Sequence, residues 1–120
     1  VDDVAREQFI LREKGSATRA ILEEYLREQN LPGTKRFNIA CEMGSSEAVK
    51  EAVISGLGVS ILSVHAVKRE LEQGIIRRIP IQGHAIRRSF SIIHKKNFNL
   101  LPHHRLFIRY AKTFAIDSAY

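Results

Sequence analysis

Apolar and polar residues along the chain follow two different periods, and each change of period marks the end of a predicted strand or helix. Apolar side chains at every second position from Phe37 to Cys41 predict a strand. Apolar side chains at helical spacing from Ala48 to Val53 predict a helix after it. The short apolar run at residues 59–62 predicts a second strand that is covered on both faces. Elements joined this tightly predict a right-handed crossover and a parallel sheet.

A similar strand and helix are predicted nearer the start of the chain. Residues 9–11 form the apolar centre of a short strand, and residues 17–29 carry a broad apolar face at helical spacing. Residues 1–8 are charged, and we expect them to be irregular. The chain is therefore predicted to be an α/β domain with a mostly parallel sheet.

The second half of the chain has further elements. A short helix is predicted for residues 64–73, an extended segment for residues 75–81 and a strand for residues 86–94, where polar and apolar residues alternate. Pro102 suits the first turn of a final helix. That helix carries an apolar stripe, which consists of Leu106, Phe107, Tyr110, Ala111 and Phe114.

Composition and charge narrow the class of protein. The chain has 120 residues, of which 44% are apolar and 27% charged, as is ordinary for one globular domain. Its net charge is +6, but the cations are spread along the chain, which favours a solvated surface over a DNA-binding face. No apolar run approaches the ~20 residues that span a bilayer. Cys41 is the only cysteine, so we expect a buried, inert thiol and a reducing, cytoplasmic compartment.

Catalysis and metal binding find little support in the sequence. Residues 44–46 (Gly-Ser-Ser) lack the second glycine of a nucleophile elbow, and no histidine–carboxylate pair is placed to activate a serine. Residues 56–58 (Gly-Leu-Gly) follow a predicted helix, whereas a dinucleotide-binding glycine motif opens one. His103 and His104 are adjacent, and we expect them to point to different sides. The sequence therefore predicts no catalytic residue, no metal site and no cofactor.

Three predicted strands end in small polar turns, at residues 12–18, 42–46 and 63–65. In a parallel sheet these turns lie at one edge, where ligands bind in open α/β folds. Helix N-termini at that edge have unpaired amides, which suit an anion or a small carboxylate. Plain helix capping by the serines is the competing interpretation. Glu42 leaves the charge of the ligand open, because it would repel an anion or hold a cationic group.

The order of these motifs resembles that of LysR-type transcriptional regulators. Residues 44–49 (GSSEAV) and 56–62 (GLGVSIL) resemble the most typical signature of the effector domain in that family. Residues 9–19 resemble the segment after the first crossing between its two lobes. The remaining matches, in chain order, are residues 70–74, 79–81, 90–95 and 102–114.

The resemblance implies a type 2 periplasmic-binding-protein-like fold, in which two three-layer α/β/α lobes enclose an effector cleft. Residues 9–82 would form the second lobe (regulatory subdomain II), and residues 83–120 the return strand and helix of the first lobe (regulatory subdomain I). The winged helix-turn-helix of the family is absent from this chain. DNA contact is therefore expected only through that absent N-terminal domain, and no membrane contact is expected.

The family's effector contacts come from both lobes, and the resemblance carries some of them to this chain. They are Met43, Gly44, Ser45 and Ser46 and, less directly, Ser16 and Thr18.

The predicted function is sensing of an anionic or polar small-molecule effector by a non-enzymatic, cytoplasmic regulator. A solute-binding protein of a transporter and a small enzyme on the same two-lobe fold are the alternatives. The apolar stripe of the last helix, if uncovered, is expected to pack against the chain's own second lobe or against a second copy in a homo-oligomer.

Overall fold

The computed structural model describes residues 2–88 and 90–113. The chain divides into two compact units, residues 1–87 and residues 88–120. The helices and strands are α1 (Asp2–Arg6), β1 (Gln8–Arg12), α2 (Ala17–Glu28), β2 (Asn38–Met43), α3 (Ser46–Ile54), α4 (Lys68–Glu72) and α5 (Pro102–Thr113). Short 3-10 turns lie at Thr34–Arg36 and Val64–Val67.

The strand β1 lies between two parallel neighbours. On one side it pairs with β2, from Gln8 opposite Asn38 to Arg12 opposite Met43. On the other side Phe9 forms a parallel bridge with Val59. The predicted second strand, residues 59–62, is therefore present as a segment that runs along β1, but only its first residue forms a bridge in the described part of the chain.

Two apolar clusters cover opposite faces of β1, because alternate side chains of a strand point to opposite sides. Phe9 and Leu11 pack with residues of α2, and Ile10 packs with residues of α3. The first cluster consists of Phe9, Leu11, Leu22, Leu26 and Phe37. The second consists of Ile10, Val49 and Ala52, with Cys41, Met43, Val53 and Leu62 partly buried around it. Cys41 is thus half-buried rather than fully buried.

The regular alternation predicted from Phe37 to Cys41 is wrong. Phe37 packs in the first cluster, whereas Cys41 packs against the second, on the other face of β1. The register explains the change, because Phe9 pairs with Ile39 but the next residue, Ile10, pairs with Cys41. The bulge at this point inserts one residue into β2 and moves its later side chains to the opposite face.

Gly58 allows the segment before Val59 to approach β1 closely. Its φ is +152°, and a Cβ atom at this position would lie 2.2 Å from the carbonyl oxygen of Gln8. The backbone here bonds in both directions, since Val59 N donates to Gln8 O (2.8 Å) and Ile10 N donates to Val59 O (2.9 Å). Only glycine leaves enough room for this contact.

Several other predictions were wrong or only partly right. Residues 2–6 form the short helix α1 instead of an irregular segment. The helix predicted for residues 64–73 is a 3-10 turn followed by α4. No ladder forms in the described residues of 86–94, because a strand requires a neighbouring strand and none is described beside it.

The unit of residues 88–120 contains α5, which begins at Pro102 as predicted. The stripe residues Leu106, Phe107 and Tyr110 are exposed, and Phe114 lies outside the described residues. The two histidines do not point apart, because the Nε2 atoms of His103 and His104 are 3.1 Å from each other. In the described residues no helix is long and apolar enough to cross a membrane.

Candidate ligand-binding site

The turns that follow β1 and β2 lie at the same end of the sheet, as the sequence predicted. The strands are parallel, and Glu13 N donates to Met43 O (3.1 Å) just beyond the last pair of the ladder. We call residues 13–18 the α2 turn and residues 43–46 the α3 turn. Their shared edge brings the six predicted ligand residues into two neighbouring groups.

Ser45 in the α3 turn is an ordinary helix cap. Its Oγ accepts a hydrogen bond from Ala48 N (3.0 Å), and its carbonyl oxygen accepts one from Val49 N (3.1 Å). This arrangement satisfies one of the amides that every helix leaves unpaired at its start. The capping interpretation is therefore confirmed for this serine.

Ser46, Gly44 and Met43 have different positions in the α3 turn. The Oγ of Ser46 accepts a hydrogen bond from Arg12 Nη1 (2.7 Å), which links the end of β1, beside the α2 turn, to the α3 turn. Gly44 is exposed. The Met43 side chain packs against the cluster around Ile10, so it is the carbonyl group of Met43 that lies at the edge.

Ser16 occupies the cap position of α2, but its hydroxyl does not cap the helix. The residue is only 6% exposed. Among the described residues, no side-chain nitrogen or oxygen is both sealed from solvent and without a hydrogen-bond partner. Since the Ser16 hydroxyl has no partner in this part of the chain, its oxygen must reach the surface.

The start of α2 also offers backbone donors. The first intrahelical bond runs from Ala20 N to Ser16 O (2.9 Å), so the amides of residues 17–19 have no backbone acceptor in the described chain. No acidic residue lies in the first turn, whereas Glu47 lies in the first turn of α3. Thr18 is half-buried beside these amides. The α2 turn therefore leaves more helix-start amides uncommitted than the α3 turn, where the Ser45 hydroxyl accepts from Ala48 N.

Arg12 is held in place by its neighbour. Its Nε and Nη2 atoms bond the two carboxylate oxygens of Glu13 at 2.7 Å and 2.8 Å. This bidentate pair raises the pKa of Arg12 and lowers the pKa of Glu13, through the side-chain hydrogen bond first. The remaining Nη1 reaches Ser46, and the Arg12 side chain is 15% exposed.

Arg19 ties the first turn of α2 to both strands. Its Nε contacts Glu23 (2.9 Å), and its Nη1 contacts Glu42 at the end of β2 (3.0 Å). The same Nη1 donates to the carbonyl oxygen of Arg12 (3.1 Å). Hydrogen bonding to Glu23 is the first cause of a raised pKa for Arg19, and it lowers the pKa of Glu23.

No pattern in the sequence singled out Arg12 and Arg19. Their position was the available signal, since Arg12 ends a buried strand and Arg19 lies in the first turn of the next helix. Three carboxylates, those of Glu13, Glu23 and Glu42, contact these two guanidinium groups. The site therefore offers hydrogen-bond donors without a net positive charge in this network, and Glu42 is committed to Arg19.

The described residues contain no group of three or more histidine, cysteine, aspartate or glutamate side chains that could hold a metal ion. The donors at the edge are hydroxyl, amide and guanidinium groups, which bind oxygen acceptors and not cations. What this edge can do chemically is to hold a polar or acidic group of a small molecule.

Residues 1–115 match the family model of the LysR substrate binding domain. The chain belongs to this family. Membership agrees with the parallel strands of the structure. It also confirms the resemblance on which the sequence analysis relied.

Known relatives of this LysR substrate-binding domain are transcriptional regulators. The chain is 34% identical to the HTH-type transcriptional regulator CbbR of Xanthobacter flavus over 100 residues. The matched stretch covers 83% of the chain and 29% of CbbR. It is 39% identical over 92 residues to a probable RuBisCO transcriptional regulator of Guillardia theta, covering 77% of the chain and 29% of that protein. It is 34% identical over 119 residues to the HTH-type transcriptional activator CmpR of Synechocystis, covering 99% of the chain and 37% of CmpR. The chain thus spans about a third of the length of these relatives.

Proposed function

We propose that this LysR substrate-binding domain senses a small-molecule effector for a transcriptional regulator. The observation that carries the proposal is the junction of two serine-bearing turns at one edge of a parallel sheet, through Arg12 and Ser46. Family membership and the named relatives give the biological context. The relatives are regulators by name, which favours this role over a transporter's solute-binding protein.

The proposed lobe assignment is the one implied by the family resemblance. Residues 9–82 belong to the second lobe of a type 2 periplasmic-binding-protein-like, three-layer fold, and residues 83–120 to the first. Helices α2 and α3, on opposite faces of β1, support the layered arrangement. The site residues are Ser16, Thr18, Met43, Gly44, Ser45 and Ser46.

The proposed effector is polar or anionic. Support comes from the uncommitted donors of the α2 turn, where the Ser16 hydroxyl and the amides of residues 17–19 face no protein acceptor in the described chain. An acceptor-bearing ligand would satisfy them, and a purely apolar ligand would leave them unpaired. Glu42 does not supply a free counter-charge for a cation, because it contacts Arg19.

Partners and location follow from the proposed role. We propose that DNA is contacted through a winged helix-turn-helix and not through the residues described here. A regulator of transcription acts in the cytoplasm and has no catalytic function of its own.

A homo-oligomer is proposed from the exposed stripe on α5. Analytical ultracentrifugation of the chain tests it, and a monomer at all concentrations would contradict it.

A thermal-shift screen of small organic acids tests effector binding. We expect Ser16→Ala and Ser46→Ala each to weaken binding of an active compound by about 1 kcal/mol, the usual value of one hydrogen bond. For the third serine, Ser45, the variant is Ser45→Gly. Glycine removes the hydroxyl, but its loss as a helix cap lowers stability by only a few tenths of a kcal/mol. Ser55→Ala, at the opposite end of α3, is the control. Unchanged affinity in all three variants would place the site elsewhere.

A further inference from the structure

The contact between Arg12 and Ser46 determines which kind of chemical group the α3 turn can recognise. We propose that Arg12 is a positioning residue, which makes the Ser46 hydroxyl a hydrogen-bond donor toward the effector. The α3 turn would then select a group with acceptor oxygens, such as a carboxylate, over a carboxamide. This inference rests on the proposed function and adds the chemistry of the effector group.

The direction of the hydrogen bond between Arg12 and Ser46 follows from which of the two groups can accept. A guanidinium group has only donors, so in the 2.7 Å contact between Arg12 Nη1 and Ser46 Oγ the serine oxygen must accept. The hydroxyl hydrogen of Ser46 is then directed away from Arg12. Among the described residues it has no acceptor, because the contact with Arg12 is the one hydrogen bond of this side chain. It remains available to an effector.

The Arg12 guanidinium group cannot swing away from Ser46 as a whole without losing its contacts with Glu13. Two of its nitrogens are engaged by the carboxylate of Glu13, at 2.7 Å and 2.8 Å. A bidentate pair of this kind fixes the plane of the guanidinium group. Three of its five N–H groups are thus committed to Glu13 and Ser46, and Glu13 compensates its charge. In this proposal Arg12 acts on the effector through the orientation of Ser46.

The Ser45 hydroxyl is also an acceptor within the protein, but its donor is a backbone amide and not an arginine. Its Oγ accepts from Ala48 N (3.0 Å), so its hydroxyl hydrogen is also directed outward. Two adjacent serines thus present hydrogens, each with an acceptor site already used within the protein. A carboxylate supplies two acceptor oxygens to such a pair, whereas the nitrogen of a carboxamide brings hydrogens of its own.

The test compares acetate with acetamide, which have nearly the same shape but different polarity. Binding to the full chain is measured by the NMR shifts of the amides of residues 45–47, at constant ionic strength with chloride as the balancing anion. In the unchanged protein we expect acetate to bind at least about fivefold more tightly than acetamide, as loss of one hydrogen bond predicts.

Three variants separate positioning from a general structural effect. Arg12→Ala should reduce the preference for acetate to within about twofold, because the Ser46 hydroxyl can then rotate and accept from acetamide. Arg12→Lys should restore much of the preference, since an ammonium group is also a pure donor. Arg27→Ala, which removes an exposed arginine of α2, should leave the preference unchanged.

The outcomes distinguish this inference from the proposed function. An unchanged acetate preference in folded Arg12→Ala would overturn the positioning role, while effector binding in the thermal-shift screen could still stand. Should Arg12→Ala fail to fold, Ser46→Ala decides: a preference for acetate as strong as that of the unchanged protein contradicts the inference. Equal binding of the two probes to the unchanged protein, or no response at residues 45–47, also contradicts it.

Discussion

The α2 turn and the α3 turn occupy equivalent positions but use their serines differently. Each follows one of two paired parallel strands, and each opens a helix. In the α3 turn Ser45 caps the helix and Ser46 accepts from Arg12, so both hydroxyl oxygens have partners. In the α2 turn Ser16 occupies the cap position without capping, and its hydroxyl remains open.

The difference shows that a small polar turn before a helix does not by itself define a ligand site. Capping is a local interaction over three residues, and it accounts for the position of the Ser45 oxygen. Ser16 has no such explanation, although only 6% of its surface is exposed. Its oxygen reaches the surface without a hydrogen-bond partner in the described chain. The serine to which the family resemblance points less directly is thus the one whose hydroxyl oxygen has no partner in the described chain.

The largest effect is expected from a change that disturbs both turns together. Gly58→Ala places a Cβ atom 2.2 Å from Gln8 O, on the strand that carries the α2 turn and pairs with β2. We expect a loss of about 3 kcal/mol or more in the free energy of unfolding, from strain and overlap. Urea denaturation measures it.

Gly33→Ala is the matched control for this change. Its φ is −69°, and a Cβ atom there meets no atom within 4 Å. We expect its stability to stay within about 0.5 kcal/mol of the unchanged protein. Equal stability of Gly58→Ala and Gly33→Ala would contradict the close approach of residues 58 and 8.

A smaller effect separates the two turns directly. Ser45→Ala removes the α3 cap and should lower the free energy of unfolding by about 1 kcal/mol. Ser16→Ala removes a hydroxyl that bonds nothing in the described chain, so without ligand its stability should be unchanged or slightly higher. Thermal or urea unfolding of the two variants side by side checks this. A larger loss in Ser16→Ala than in Ser45→Ala would reverse the comparison.

The smallest expected effect concerns acid. Hydrogen bonding to Arg19 lowers the pKa of Glu23 below its ordinary value of 4.5, so the charged carboxylate stabilises the folded chain. This stabilisation is fully present above the unfolded pKa and is lost as the pH falls through the lower, folded pKa. We expect the unfolding free energy of Glu23→Gln to depend less on pH below about 4.5.

Glu28→Gln, on an exposed part of α2, is the control for this pH series. Its dependence on pH should follow that of the unchanged protein more closely than Glu23→Gln does. Identical curves for Glu23→Gln and the unchanged protein would show that the contact with Arg19 contributes nothing to stability in solution. The comparison of the turns would then rest on their serines alone.

Local patterns in the sequence determined the order of the main strands and helices and the position of the serine turns. The order of β1, α2, β2 and α3, the start of α5 at Pro102 and the serine turns at one edge all follow from short-range rules of strand, helix and turn formation. The family resemblance was also readable, because it rests on short motifs in a fixed order. Each of these features depends on residues that are close together in the chain.

Only the tertiary structure decided which serines are engaged and which neighbours surround them. Arg12 and Ser46 are 34 residues apart, and no local pattern predicts a hydrogen bond between them. The bulge in β2 likewise arises from pairing with β1, and the alternating residues of 86–94 form no ladder in their described part because no partner strand lies beside them there. Hydrogen-bond partners between distant segments depend on how elements pack, and that is information a local pattern does not contain.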